Sequence, residues 1–268
     1  MKFMPLNLIK PIVVLLVTLT SAVFFVFQSP QTQNPSSSLS TMSSSSSSSS
    51  MGRSFVLWLH GLGDSGPANE PIKNLFTSPQ FRNTKWLFPS APNAPVTCNY
   101  GHVMPSWFDI HEIPITADSP QDESGLIKAV KNVHATIYKE IADGTNPNNV
   151  FICGFSQGGC FLISFLYMCL YISRCFHHLL HHTNSFKEKH MYKFPMNCSN
   201  VLQTPLLWSH GIIDRTVLFE AGQAGPPFLE KIGVGCEFKA YPGLAHSISN
   251  EELRNLESWI KTRLQTSS

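Results

Sequence analysis

Short, wholly apolar segments alternate with amphipathic segments along most of the chain. FVLWLH (55–60) and NVFICG (149–154) are rich in β-branched and aromatic residues and end in turn residues, which is typical of strands buried on both faces of a parallel sheet. KWLFPSAP (85–92), TPLLWSHG (204–211) and CEFKAYPG (236–243) show the same pattern. These segments predict a mostly parallel central sheet.

Three amphipathic segments predict helices between these strands. The segment 122–144 places apolar residues at spacings of three and four, begins with acidic residues and ends at Gly144. Segments 217–233 and 249–265 show the same periodicity, and Ser249 is a candidate N-cap for the helix in 249–265. Because strands alternate with helices, we predict an α/β sandwich around the central sheet. The predicted apolar face of the first helix consists of Leu126, Ile127, Val130, Val133, Ile137 and Ile141.

The N-terminal region has a different pattern. Lys2 and Lys10 precede an uncharged apolar run of 17 residues, 11–27, and no charged residue follows it until Arg53. As a helix this run would be about 26 Å long, close to the thickness of a thin bilayer and slightly longer than the core of a signal peptide. Residues 1–28 therefore predict a signal anchor or a cleaved signal peptide, and length does not decide between them.

A serine-rich tract over residues 29–52 predicts a disordered linker in front of a folded domain over residues 53–268. If residues 1–50 are translated, we expect the protein to be membrane-anchored through residues 11–27 or to enter the secretory route. A chain that starts at Met51 would be cytoplasmic. Because the tract has nothing to pack, we also expect a chain from Met51 to keep its activity.

Charge and cysteine content exclude several classes of protein. The 19 basic and 17 acidic residues give a net charge of +2, and the basic residues are scattered, so we expect no nucleic-acid partner. Seven cysteines without a C-x-x-C pair predict free thiols.

The pairs His177/His181 and His178/His182 have a spacing that can bind zinc. No acidic or cysteine ligand is arranged with them, so we predict no metal site.

A glycine-flanked serine follows the predicted strand 149–154. Gly154, Ser156 and Gly158 match G-x-S-x-G, in which a sharp strand-to-helix turn exposes the serine hydroxyl. Such a serine needs a histidine to take its proton and a carboxylate to orient that histidine. Asp214 and His246 each follow a predicted strand, where their side chains can meet the serine. We predict these three residues to be catalytic; alternatively, Asp214 is a surface turn residue and His246 a helix cap.

A glycine-rich loop, HGLGDSG, follows the first predicted strand. Acyl transfer needs two backbone N–H groups directed at the oxygen that becomes negatively charged. We predict that the N–H groups of Leu62 and Gln157 form this oxyanion hole. The alternative is that Gly61 and Gly63 simply make a tight turn.

Six motifs together resemble the acyl-protein thioesterase and carboxylesterase family, in particular its plant carboxylesterases. They are LWLHGLGDSG, WLFPSAP, SWFDI, GFSQGG, WSHGIIDRTV and YPGLAHSIS. The resemblance covers about residues 53–157 and resumes from about residue 204 to the end. It implies an α/β-hydrolase fold, a triad of Ser156, Asp214 and His246, and no metal or organic cofactor.

The resemblance also implies a substrate class. Members of this family hydrolyse acyl esters or thioesters, in some cases S-palmitoyl groups on proteins, so an acylated protein is an expected substrate. Trp107 and Phe108 match the family's WFD segment near the wall of the active site and are expected to bind substrate. The alternative for both side chains is ordinary core packing.

Residues 160–203 depart from the family pattern. The family has a helix of small residues followed by a glycine-led interior strand, whereas this segment is first apolar on all faces and then rich in histidine. A missing interior strand would leave unpaired backbone groups on both flanking strands. We predict that this strand is missing or replaced. The alternative to an active hydrolase is therefore a catalytically impaired, membrane-tethered relative, or the product of a faulty gene model, with a disrupted sheet.

Overall fold

Within the part of the chain that the structure describes, the strands form one six-stranded sheet and one two-stranded hairpin. The structure is a computed structural model that describes residues 22–27, 53–114, 120, 122–162, 204–231 and 233–264. The strands are β1 (Ala22–Phe27), β2 (Ser54–Leu59), β3 (Thr84–Leu87), β4 (Asn93–Val96), β5 (His102–Pro105), β6 (Val150–Phe155), β7 (Leu206–Gly211) and β8 (Cys236–Tyr241). All five strands predicted from the apolar segments are present.

Helices connect the strands and cover both faces of the sheet. They are α1 (Gly66–Asn69), α2 (Glu123–Ala142), α3 (157–162), α4 (Phe219–Lys231) and α5 (Asn250–Lys261), and short 3₁₀ turns are Glu70–Leu75, Pro79–Phe81, Thr97–Asn99 and Pro147–Asn149. The predicted cap of α5 is confirmed, since the Ser249 hydroxyl accepts from the Glu252 N–H and the Glu252 carboxylate accepts from the Ser249 N–H. The Asp122 carboxylate caps α2 by accepting from the Gly125 N–H at 2.8 Å.

The sheet order is β3-β2-β6-β1-β7-β8. Strands β2 and β3, β2 and β6, and β7 and β8 pair in parallel, whereas β1 is antiparallel to both of its neighbours. The predicted α/β architecture with a mostly parallel sheet is confirmed. The hairpin of β4 and β5 was not predicted.

An N-terminal strand occupies the interior position for which the sequence after Ser156 offered no candidate. Ala22 pairs with Phe155 of β6 and with Ser209 of β7, and the pairing continues along the strand to Phe25 on both sides. The interior strand is therefore replaced and not missing, and the sheet is continuous across the described strands. The segment AVFFVF suits this position because β-branched and aromatic residues favour a strand between two paired neighbours.

The predicted transmembrane helix is not supported. Within the ranges given above, no helix has the length and apolar character to cross a membrane, and residues 22–27 of the apolar run form a strand. Residues 1–21, 28–52 and 163–203 lie outside the described residues. The predicted linker, the histidine pairs and most of the atypical segment fall there, and the two localisations stay predictions.

Two apolar clusters lie on opposite faces of the sheet. The first joins alternate residues of β2 and β6 to α2, α3 and α4, and the second joins the remaining residues of those strands to α5. Four residues of the predicted α2 face, Leu126, Val130, Val133 and Ile137, are buried. Ile127 is 43% exposed, so its assignment to this face was wrong. Its position, one residue after Leu126, turns it by about 100° around the helix, away from the sheet.

Candidate active site

Ser156 lies on a sharp turn between β6 and α3. Its φ is +52°, a left-handed conformation that is uncommon for a residue with a side chain. A Cβ atom on Gly154 would lie 2.4 Å from the carbonyl carbon of Gly158, so the turn closes only with glycine at that position. The Ser156 carbonyl then accepts from the Cys160 N–H at 3.0 Å, which starts the helix. The turn therefore presents the hydroxyl at the end of a central strand.

Two loops bring Asp214 and His246 to this serine. The His246 Nε2 lies 2.9 Å from the Ser156 Oγ, and the His246 Nδ1 lies 2.7 Å from the Asp214 Oδ2. Because an ionised carboxylate can only accept, Nδ1–H is the donor of the hydrogen bond to Asp214. In a neutral imidazole, Nε2 is then the acceptor for the serine hydroxyl. Asp214 follows β7 and His246 follows β8, in line with the expectation that strand ends would bring them together. Their catalytic roles stay predictions.

Asp214 is held as an anion by its surroundings. Its side chain is fully buried, its Oδ1 accepts from the N–H groups of Thr216 at 2.8 Å and Val217 at 3.0 Å, and its Oδ2 accepts from His246. Burial alone would raise the pKa of this carboxyl, but the hydrogen bonds from His246 and the two backbone groups outweigh burial and lower the pKa. Asp214 is thus ionised at neutral pH and oriented toward His246.

A second histidine stabilises the turn that carries Asp214. The His210 Nε2 donates to the Val217 carbonyl at 3.0 Å and lies 3.8 Å from the Asp214 Oδ2. Burial lowers the pKa of His210, although this hydrogen bond and the charge of Asp214 act in the opposite direction. His210 therefore stays neutral, and its hydrogen bond connects the end of β7 to Val217, which follows the turn that carries Asp214. Sequence reasoning missed it; its position four residues before Asp214 was the available signal.

The glycine-rich loop passes directly beside the serine. A Cβ atom on Gly61 would lie 3.2 Å from the Cβ of Ser156. Gly63 has a φ of +75°, and its N–H donates to the Pro105 carbonyl at 2.9 Å. The Asp64 N–H donates to the Gly61 carbonyl at 3.3 Å, so the tight turn given as the alternative is present.

Leu62 lies within this turn, three residues after the last residue of β2. Gln157 is the first residue of α3, and the N–H groups of a first helical turn have no partner inside their own helix. Leu62 thus follows Gly61, which lies beside Ser156, and Gln157 follows Ser156 itself. The oxyanion hole formed by Leu62 and Gln157 stays a prediction.

The Gln157 side chain links the serine turn to a distant loop. It is 1% exposed, its Nε2 donates to the Ser106 Oγ at 2.9 Å and to the Phe108 carbonyl at 2.6 Å, and its Oε1 accepts from the Trp107 N–H at 3.0 Å. Every polar atom of this amide therefore has a partner in residues 106–108. Sequence reasoning used only the backbone N–H of Gln157, because its partners are about 50 residues away in the chain.

Trp107 and Phe108 are buried, with 8% and 5% of their surface exposed. The Trp107 Nε1 donates to the His60 carbonyl at 2.8 Å, and its ring lies 5.1 Å from the His60 ring and 6.2 Å from that of Phe161. Both residues line a cavity of about 630 Å³ beside α2, and none of the three candidate catalytic residues lines that cavity. Trp107 thus packs against His60, the residue before Gly61, and binds its carbonyl. Substrate contact by Trp107 and Phe108 stays a prediction.

A sequence profile of the phospholipase/carboxylesterase family matches residues 42–264. The chain belongs to this family. It is 58% identical over 266 residues to the Arabidopsis thaliana protein named "Probable carboxylesterase SOBER1-like", covering 97% of this chain and 96% of that protein. It is 34% identical over 224 residues to "Acyl-protein thioesterase 1" of Cryptococcus neoformans, covering 78% of this chain and 92% of that protein. The predicted family is confirmed.

A solved structure confirms the α/β-hydrolase fold. The crystal structure of Arabidopsis thaliana SOBER1 matches with a TM-score of 0.67 at 52% identity, covering 80% of this chain and 100% of that chain. The alignment with the SOBER1-like protein covers 97% of this chain and so includes most of residues 1–50. The N-terminal region thus has a counterpart in a relative from the phospholipase/carboxylesterase family.

No group of three or more His, Cys, Asp or Glu side chains that could hold a metal ion occurs within the part of the chain that the structure describes. The histidine pairs at 177/181 and 178/182 lie outside it. Cys98, Cys153 and Cys236 are free thiols. The prediction that this member of the phospholipase/carboxylesterase family needs no cofactor stays a prediction.

Proposed function

We propose that this chain is a serine hydrolase that cleaves carboxylic esters or thioesters through an acyl-enzyme. The observation that carries the proposal is the continuous hydrogen-bonded line from the Ser156 Oγ through His246 to the buried Asp214 carboxylate. This line occurs on a strand-to-helix turn in a chain of the phospholipase/carboxylesterase family. Nucleophilic acyl transfer by a serine commonly uses this combination of serine, histidine and carboxylate.

In the first half of the reaction, the Ser156 Oγ attacks the acyl carbonyl carbon while its proton moves to the His246 Nε2. The negative charge that forms on the carbonyl oxygen is stabilised by the N–H groups of Leu62 and Gln157. Asp214 stabilises the resulting imidazolium through the His246 Nδ1–H. His246 then gives its proton to the departing alcohol or thiol, and the acyl group stays on Ser156.

In the second half, water takes the place of the leaving group. His246 Nε2 accepts a proton from the water as its oxygen attacks the acyl-enzyme carbonyl. The same two N–H groups stabilise the second negatively charged intermediate. Collapse of this intermediate returns the proton from His246 to Ser156 and releases the carboxylic acid.

Covalent labelling tests this proposal. A fluorophosphonate probe reacts with a serine only when its hydroxyl is activated, so we expect stoichiometric labelling of the folded full chain and none of Ser156→Ala. The His246→Ala variant, which keeps the hydroxyl but loses the base, should also remain unlabelled. Folded protein with a cooperative thermal transition and no Ser156-dependent labelling would contradict the proposal. That result would favour the alternative, a catalytically impaired relative of the family.

A narrower proposal concerns the leaving group. Similarity to a protein named as an acyl-protein thioesterase supports a cysteine-linked acyl group on a protein as substrate. The test compares one S-acyl peptide with the O-acyl peptide that has serine in place of cysteine and the same acyl chain. A higher kcat/KM for the S-acyl peptide supports the thioesterase proposal, whereas equal or lower values favour a carboxylesterase without this preference.

A further inference from the structure

Among the strands that the structure describes, β1 is the one that joins β6 to β7. Phe24 lies between Cys153 of β6 and Leu207 of β7, and Phe25 lies between Ile152 and Leu206. The pairing with β6 extends from Ala22 to Phe27. Through β1, the half of the sheet that carries Ser156 is connected to the half that carries Asp214 and His246.

The two neighbouring strands need an occupant at this position. In the complete sheet, residues 150–153 of β6 and 206–208 of β7 are buried, and the two apolar clusters cover the faces of both strands. A buried N–H or C=O group without a partner is costly, and β1 supplies partners on both sides. An empty position would leave unpaired groups on both strands, directly beneath the candidate active site.

The same residues belong to the apolar run that predicted a membrane segment. With residues 22–27 in the sheet, 11 residues of the run, 11–21, remain outside it. As a helix they would be about 16 Å long. That is too short for the hydrocarbon core of a bilayer, which is about 30 Å thick. The chain between Phe27 and Arg53 spans residues 28–52 and can extend to about 80 Å, so it places no restriction on either arrangement.

We propose that residues 22–27 are an essential strand of the hydrolase and that the apolar run is used either in the sheet or in a bilayer, never in both at once. The run then acts as an internal switch: removal of the segment, or its insertion into a membrane, takes away the strand that connects Ser156 to Asp214 and His246. On this proposal a chain that starts at Met51 loses the strand and its activity, contrary to the expectation from the sequence, and that expectation stays a prediction.

A cross-link tests the position of the strand. Phe24 is paired with Cys153, and paired Cα atoms of antiparallel strands lie about 4.5 to 5.5 Å apart, within the range of disulfides. We expect Phe24→Cys, refolded with oxidised glutathione, to form a 24–153 disulfide while glutathione is reduced to its thiol. The matched control is Phe25→Cys, whose partner is Ile152 and which should not cross-link to Cys153. Equal cross-linking in both variants, or none in a folded Phe24→Cys protein, overturns the proposal.

Hydrogen exchange tests the same placement without any substitution. Backbone amides of residues 22–27 in the folded full chain should exchange at least about 100-fold more slowly than those of the serine tract 29–52, and similarly to those of β6 and β7. Exchange of residues 22–27 as fast as that of the tract would overturn the proposal. Neither this readout nor the cross-link depends on catalysis, so their failure is distinguishable from failure of the proposed hydrolase function.

Proline substitution tests whether the strand is essential. Proline removes a ladder N–H in the middle of a sheet, so Phe24→Pro should lower the midpoint of thermal unfolding by more than about 5 °C and reduce fluorophosphonate labelling at least about 10-fold. Val14→Pro interrupts the same apolar run outside β1 and should leave both unchanged. If Phe24→Pro behaves as wild type, or if Val14→Pro is equally damaging, the strand is not the essential part of the run.

Membrane fractionation tests mutual exclusion. Phe24→Cys is synthesised in the presence of phosphatidylcholine vesicles, oxidised, and extracted with alkaline carbonate, which leaves only integrally inserted chains in the pellet. We expect cross-linked chains in the released fraction and only uncross-linked chains in the pellet. Cross-linked chains retained in the pellet in the same proportion as uncross-linked ones would show that sheet and bilayer do not compete.

Discussion

Gly158 packs directly against the carbonyl oxygen of Leu59. A Cβ atom at position 158 would lie 2.2 Å from that oxygen and 2.9 Å from the carbonyl oxygen of His60. Leu59 is the last residue of β2, and Gly158 lies in the first turn of α3. The second glycine of the G-x-S-x-G motif therefore sets how closely the helix behind Ser156 approaches the adjacent strand.

Gly158→Ala should destabilise the protein by about 3 kcal/mol, because the new methyl group meets backbone atoms that cannot move independently. Displacement of α3 would also move the Ser156 hydroxyl and the Gln157 N–H, so labelling by a fluorophosphonate probe should slow in the fraction that remains folded. Thermal or urea unfolding measures the first effect and labelling kinetics the second. Gly235→Ala is the control, since a Cβ there meets no atom within 4 Å and the free energy of unfolding should change by less than about 0.5 kcal/mol. Equal stability of the two variants would contradict this account of the motif.

A buried carboxylate ties α2 to the edge of the sheet. Glu140 has 5% of its side chain exposed and accepts from Arg53 at 2.6 Å, from Thr145 at 2.8 Å and from Lys85. Burial would raise the pKa of this carboxyl, but the hydrogen bonds from Lys85 and Thr145, together with the charges of Lys85 and Arg53, lower the pKa below its ordinary value. Glu140 is therefore ionised in the folded protein at neutral pH.

Glu140→Gln should reduce the free energy of unfolding by about 2 kcal/mol at pH 7, because the neutral amide replaces charge-assisted hydrogen bonds and directs donors at Lys85 or Arg53. A pKa that is lower in the folded than in the unfolded state stabilises the fold above the unfolded value of about 4.3, and this stabilisation is lost as pH falls through the folded value. The difference between wild type and variant should thus shrink below about pH 4. Urea unfolding across this range measures it, with the exposed Glu230→Gln as control. A difference that is independent of pH would assign the effect to packing and not to charge.

The sequence predicted those features that depend on local pattern. The N-cap at Ser249 and the five parallel strands followed from turn residues, capping residues and apolar periodicity. Ser156, Asp214 and His246 were found because each follows a strand, and ends of parallel strands lie on one edge of the sheet. Local pattern and topology are sufficient for features of this kind.

The features that the sequence did not predict depend on contacts between distant residues. The segment AVFFVF is apolar enough for either a buried strand or a membrane helix, and only its pairing with β6 and β7 distinguishes the two. The Gln157 amide is likewise specified by Ser106, Trp107 and Phe108, and no local pattern indicates those partners. Hydrophobicity predicts that a residue is buried, but not which residue it is buried against.

Gln157→Ala should impair catalysis and folding together. The variant leaves the Trp107 N–H and the Phe108 carbonyl without this partner and removes the connection between α3 and residues 106–108. Loss of buried hydrogen bonds should cost about 2 to 3 kcal/mol of stability. We expect kcat to fall about 10-fold or more with a small change in KM, because a displaced Gln157 N–H weakens stabilisation of the transition state. Steady-state kinetics normalised to titrated active sites measures this effect.

The matched control is Gln223→Ala, an exposed glutamine in α4. It should change neither kcat nor the unfolding midpoint. If Gln157→Ala loses stability but keeps its kcat per titrated site, the side chain only supports the fold and does not position the oxyanion hole.

Substitution of the hydrogen-bonded line should cause losses that do not add. Ser156→Ala, Asp214→Asn and His246→Ala should each lower kcat/KM by on the order of 10³-fold or more, because proton transfer from the Ser156 Oγ to His246 needs all three groups. The double variant Ser156→Ala/His246→Ala should be about as inactive as either single variant, since each single change already removes the same step. His102→Ala, on the exposed hairpin strand β5, should keep full activity and serves as the control. Near-normal activity of Asp214→Asn would move the carboxylate's role to another residue, and losses that multiply in the double variant would show that serine and histidine act in separate steps.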